Sequence, residues 1–222
     1  MLLALRRIYT LLPVLLFTAA AAWANPKSLA QQQSLAVAHL CRTLSKPAIT
    51  TALAAYQHAK QAGLTHSPLF TVIDYTQRAD RKRLCTIDLK HLKLLYLGWV
   101  SHGTGSGDNF ARTFSNRPDS HATSLGLYKT LTPYYGHFGY SLRLQGLEPG
   151  LNSNALSRHI VLHGATFVTP YIAHTFHSIG RSFGCFSVDP HVIKRMIHRL
   201  EAGSLLYAYY PSDELLQHSV FL

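Results

Sequence analysis

The sequence predicts an α+β domain that is mainly β with a few helices. Short apolar runs, separated by Gly, Pro, Asn and Asp, recur from Leu69 onward and read as strands. Helical periodicity is confined to residues 28–62 and to the segment after Asp189. Hydrophobic residues make up 47% of the 222 and charged residues only 14%, the composition of a packed core rather than of a disordered chain.

Arg6 and Arg7 precede an apolar run from Ile8 to Ala22, and Ala22-Trp23-Ala24 offers a small-residue cleavage site. Residues 1–24 are therefore expected to be a signal peptide, and the protein to be exported to the periplasm or cell-wall compartment. The run is short and holds Pro13, so no stable membrane span is expected after cleavage. Residues 25–67 form an N-terminal helical segment. Leu29, Leu35, Ala36, Val37 and Leu40 favour a first helix; Ile49, Leu53, Ala54 and Tyr56 favour a second, divided from it by Ser45-Lys46-Pro47 and stopped by Gly63. This segment is read as a cap on the main domain.

The main domain, residues 68–211, opens with a strand from Leu69 to Tyr75. Arg83 to Leu89 and Leu92 to Val100 read as a hairpin turning at Lys90-His91. The glycine-rich run His102 to Asn109 fits no phosphate-binding pattern and is expected to be a flexible loop. Strands are expected over Leu125–Leu131 and Tyr140–Gln145, with Pro133-Tyr134-Tyr135-Gly136 turning the chain between them. A loop, a short helix around Asn154 to Leu156 and a strand ending at His163 follow. Asp189-Pro190 caps a helix whose apolar face is Val192, Ile193, Met196, Ile197 and Leu200. Leu205 to Tyr210 is the last strand, and residues 212–222 are a C-terminal tail.

The chemistry points to Gly180-Arg181-Ser182-Phe183-Gly184-Cys185-Phe186-Ser187-Val188, read with His163-Gly164. A cysteine titrates near ~8.5 and an imidazole near ~6.5, so a contacting pair can hold a thiolate beside an imidazolium. Cys185 is the candidate nucleophile and His163 the general base and acid. Gly184 would let backbone amides approach a developing oxyanion. The helix start after Cys185 would favour the thiolate through its dipole. An inert core cysteine and a structural histidine are the plainer alternative.

The order of these residues resembles the active-site signature of the YkuD-like L,D-transpeptidases. Thr123-Ser124-Leu125-Gly126-Leu127-Tyr128 looks like an earlier strand of that family. The segments His102 to Asn109, Phe114 to Asn116, Gly139 to Leu144 and Gly146 to Asn154 look like its murein L,D-transpeptidase branch. The resemblance spans roughly Pro68 to Pro211. It implies a β-sheet catalytic domain in which Cys185 attacks the carbonyl of an L-centre, normally the diamino residue of a peptidoglycan stem peptide, and passes the acyl group to an amine. Gly164, Ser182 and Gly126 support the motif. A backbone carbonyl is the implied orienter of His163. Phe183 stands where the family often has a second His, and Ser187 where it often has Arg. Arg181, Arg158 and Ser124 are then candidates for substrate binding.

The alternatives are an L,D-carboxypeptidase or endopeptidase with water as acceptor, release of a wall-linked protein, or an inert wall-binding module. No cofactor is implied. The formal charge of +11, of which Arg6 and Arg7 supply two, suits anionic wall polymers; no nucleic-acid-binding motif is present. His174 and His177 lie three apart in a loop without a third ligand at recognisable spacing, so no metal site is assigned. Three cysteines leave an odd one: a Cys41–Cys85 disulfide would leave Cys185 free, and three reduced thiols is the other possibility.

Overall fold

The computed structural model describes residues 26–200 and 203–222; the signal peptide expected at 1–24 lies outside them. Helix α1 (Pro26–Leu40) leads to α2 (Lys46–Gln61). Ser45, read above as part of a divider, is the N-cap of α2, and its side chain accepts from Ala48 N–H. Asp74 Oδ2 accepts from Ser45 N–H at 2.7 Å, which pins the start of the helix to the sheet. The buried face of α2, with Ile49, Leu53, Tyr56 and four alanines, packs on the central strands.

The strands are β1 (Leu69–Asp74), β2 (Leu84–Asp88), β3 (Lys93–Gly98), β4 (Gly126–Gly136), β5 (Gly139–Gly146), β6 (Val161–Gly164), β7 (Phe186–Val188) and β8 (Leu205–Tyr209). They form one mixed sheet in the order β3-β2-β1-β8-β4-β5-β6-β7. Beyond β3 the chain returns to the far edge: Ser101 N–H donates to Ser187 O at 2.8 Å, and Gly103 bridges Ser182. The sheet thereby curls on itself, like a barrel. Helix α4 (Pro190–Leu200) covers β5 and β6 with Ile193, Met196, Ile197 and Leu200, the face that its periodicity predicts.

Four local expectations need correction. Residues 133–136 do not turn; β4 continues to Gly136, and the turn is His137-Phe138. Pro133 is accommodated because β4 pairs with β8 only as far as Lys129 and its register with β5 shifts between Thr130 and Pro133, so a missing N–H is tolerated there. Residues 151–159 are successive turns rather than a helix, ending at His159 with φ 54°. His174 lies in a short helix, α3 (Pro170–Phe176), and His177 is its left-handed C-cap. Cys185 precedes a strand: β7 intervenes before α4, so the helix-dipole argument for its thiolate does not hold, because that field fades within the first turn.

The C-terminal residues are packed. Helix α5 (Asp213–His218) buries Leu215, Phe221 is buried, and its carbonyl meets His58 Nδ1 at 2.7 Å.

Cys41 and Cys85 form a disulfide with a Cα separation of 5.7 Å, and Cys185 is the free cysteine. The bridge closes a loop of sequence separation 44. Loop-closure entropy assigns it about 4 kcal/mol. Replacing both residues by serine is expected to lower Tm by about 10 °C in calorimetry. An unchanged Tm would show that the reduced chain is already as restrained.

Candidate active site

Strands β6 and β7 run parallel in a register that sets His163 opposite Ser187. Cys185 lies two residues earlier, immediately ahead of β7. Both groups are enclosed: His163 is 2% and Cys185 7% exposed. Gly164 ends β6 against Pro190 and Ile193; an added Cβ would lie 3.0 Å from the Pro190 Cα.

His163 Nδ1 meets the carbonyl of Gly164 at 2.9 Å and Nε2 meets Ser187 Oγ at 3.0 Å. A carbonyl only accepts, so Nδ1 carries the proton and Nε2 is the basic nitrogen, accepting from the serine hydroxyl. The backbone orienter is thus the next residue's own carbonyl. Cys185 Sγ donates to His159 O at 3.5 Å. No direct hydrogen bond joins Sγ to His163 among the described residues.

Burial raises the Cys185 thiol above its ordinary value, with the Val161 backbone and the Arg158 charge pulling it partly back. Burial also lowers His163, opposed by the Gly164 carbonyl. Both shifts favour the neutral forms. The resting pair is a thiol and a neutral imidazole, in contrast to the ion pair that free-residue values suggest.

Gly184 has φ +117°, and a Cβ there would come within 2.9 Å of Ala122 O and 2.8 Å of Ile160 Cδ1. Its N–H donates to Ser182 Oγ at 3.1 Å, and that hydroxyl donates to Cys185 O at 2.7 Å. Ser182 therefore clasps the turn that carries the thiol, and its own N–H donates to His102 O at 3.0 Å.

The residues considered for substrate binding are engaged elsewhere. Arg158 donates to Ser115 O at 2.7 Å and Ala122 O at 2.6 Å, with Ser120 and Ser124 hydroxyls at 3.1 and 3.4 Å. It braces the loop behind Gly184. Arg181 pairs with Asp108. Ser124 is fully buried, with Oγ 2.7 Å from Tyr128 OH. Gly126 has φ +98°, and a Cβ there would lie 2.6 Å from Glu148 Oε1, the atom that accepts from Leu127 N–H.

The glycine-rich run, expected to be flexible, is tied down. Gly103 N–H donates to Thr123 Oγ1, Thr104 N–H to Ser182 O and Gly105 N–H to His121 O. His102 is buried between Arg83 Nη2, 2.7 Å from Nδ1, and Gly107 O, 3.1 Å from Nε2. Burial, reinforced by Arg83, pushes it down to about 4, so it stays neutral.

Two aromatic stacks flank Cys185. Phe138, at the β4–β5 turn, lies on the His163 imidazole with ring centroids 4.3 Å apart and planes at 18°. Phe183 lies on His121 at 4.3 Å and 20°. Residue-by-residue reading passes over Phe138 and His121, which belong to no motif. An aromatic in a two-residue turn between Gly136 and Gly139 is the one local signal for Phe138. His174 packs edge-on against Trp99 at 5.5 Å, and the described residues contain no cluster of three metal-ligating side chains.

The curled eight-stranded sheet, with five helices among the described residues, defines a mainly β domain of the YkuD-like L,D-transpeptidase class. The chain belongs to the L,D-transpeptidase catalytic domain family, whose sequence model matches residues 41–209. A solved L,D-transpeptidase from Mycobacterium smegmatis is similar over 65% of this chain and 59% of its own, at 12% identity and a TM-score of 0.40. The chain thus spans less than two thirds of that protein. No curated protein matches in sequence.

Proposed function

We propose that the protein is an exported enzyme that builds or edits peptidoglycan cross-links through a Cys185 thioester. The observation that carries this reading is the free thiol of Cys185, immediately before the strand that pairs in parallel with the His163 strand, in a chain of this family. Substrate binding would turn the imidazole from Ser187 toward Sγ. The thiol then gives its proton to His163 Nε2 as sulfur attacks the carbonyl of the L-residue. Collapse of the tetrahedral species expels the D-residue's amine, which takes that proton back from His163. An acceptor amine attacks the thioester, losing a proton to His163; the C–S bond breaks as the new amide forms, and sulfur takes the proton back from His163. Water in place of the amine would give a carboxylate. Export is supported by the Cys41–Cys85 disulfide, since such bonds persist in oxidising compartments.

Incubating residues 25–222 with tetrapeptide stems and weighing the products by mass spectrometry tests this. Dimers with an L,D-linkage are the expected result. Shortened monomers alone would make the enzyme a hydrolase, and unchanged stems would argue against both chemistries.

A further inference from the structure

Strand β7 has different neighbours on its two edges. On one lies β6 with His163 and its covering ring, Phe138. Along the other run residues 101–105, hydrogen-bonded to Ser187 and Ser182. His121 belongs to this second side, because its carbonyl accepts from Gly105 N–H at 2.9 Å and the neighbouring Thr123 Oγ1 meets Gly184 O at 3.3 Å. Cys185 therefore stands between His163 on one flank and the Phe183–His121 stack on the other.

The mechanism assigns a role to each flank. The departing amine takes its proton from His163, so the leaving residue occupies the β6 side. The acyl portion that stays on sulfur must then extend the other way, across Gly184 toward Phe183. That ring is 69% exposed, although it sits two residues from the nucleophile. His121 is also exposed, its backbone is left-handed at φ 49°, and its imidazole has no hydrogen-bond partner among the described residues, only the Phe183 stack. The arginines that would otherwise receive an anion nearby are occupied, Arg158 by the loop's oxygens and Arg181 by Asp108.

We propose that Phe183 and His121 form the subsite for the side chain of the L-diamino residue whose carbonyl Cys185 attacks. Phe183 packs on its methylenes, and His121 donates an N–H to a carboxylate at its far end. This rests on the transpeptidase reading above. It makes His121 a specificity residue that distinguishes a diamino acid with a distal carboxylate from one without.

Binding separates this from the chemistry. Cys185→Ala and Cys185→Ala/His121→Ala proteins are titrated calorimetrically with three tetrapeptide stems: one with diaminopimelate at position three, one with its distal carboxylate amidated, and one with lysine. The single variant is expected to bind the first about tenfold tighter than the other two, the worth of one charge-assisted hydrogen bond, and the double variant to bind all three alike. Equal affinities in the single variant, a preference that survives His121→Ala, or no binding of any stem would overturn the subsite. If the His121-dependent preference is found but wild-type protein converts none of the stems, the subsite stands and the proposed reaction fails.

Discussion

Cys185→Ala is expected to lower kcat/KM on tetrapeptide stems by roughly 10⁴-fold or more, the usual consequence of removing a covalent nucleophile. The side chain is small and buried, so the variant should keep its fold and melt near the wild type. The pKa directions add a second expectation. A raised thiol holds less thiolate at any given pH than a free cysteine does, and a lowered imidazole provides no imidazolium to retain it. Alkylation of the resting protein by iodoacetamide should therefore be slow at pH 6 and rise about tenfold per pH unit to beyond the ordinary value near ~8.5. His163 must be neutral in the free enzyme to accept the proton, so the acid limb of kcat/KM should lie below ~6.5. Rapid alkylation at pH 6 would instead show a resting ion pair, and full activity in Cys185→Ala would remove the thioester from the mechanism.

Gly184→Ala is expected to cost both activity and stability. An alanine at φ +117° is strained by about 1–3 kcal/mol before any contact is counted. Its Cβ would also press on Ala122 O, a carbonyl that Arg158 Nη2 already holds at 2.6 Å, so neither loop yields without moving the other. Displacing the next residue, Cys185, by an ångström would reduce kcat by about 10². Gly63→Ala is the control, since Gly63 has φ +71° and open space around it. It should lose stability from strain alone and keep full kcat. Equal kcat for the two variants would show that the close packing behind the thiol does not position it.

Much of the architecture could be read from local pattern. The short apolar runs of β1 to β3, the apolar stripe of α4 and the capped start after Asp189 are properties of neighbouring residues. Pro133 misleads because whether a strand tolerates proline depends on which edge is paired, and β8 stops pairing at Lys129. Residues 151–159 mislead because Asn152 spends its side chain on Leu125 O, Leu127 O and Glu148 N–H rather than leaving the segment to form a helix. In the site, residue order locates Cys185 and His163, but their protonation depends on burial, which is set by strands distant in sequence. The stacks of Phe138 and His121 are likewise tertiary events. Cysteine counting leaves the bridge undecided, and the approach of α1 to β2 brings Cys41 and Cys85 together.

The curl of the sheet bears on when the site comes into being. The strand after Cys185 is stitched on one side to His163, 24 residues away, and on the other to Ser101, 86 residues away. Joining partners so far apart carries more chain entropy than any hairpin in the fold, and such pairings are slow to form. Cys185 sits on the seam where the two ends of the sheet meet. A chain that has folded only its hairpins has no Ser101 against Ser187 and no loop behind Gly184. Thiol and imidazole acquire their shared, enclosed setting only when the seam closes, so the pair has no working geometry until the architecture is whole.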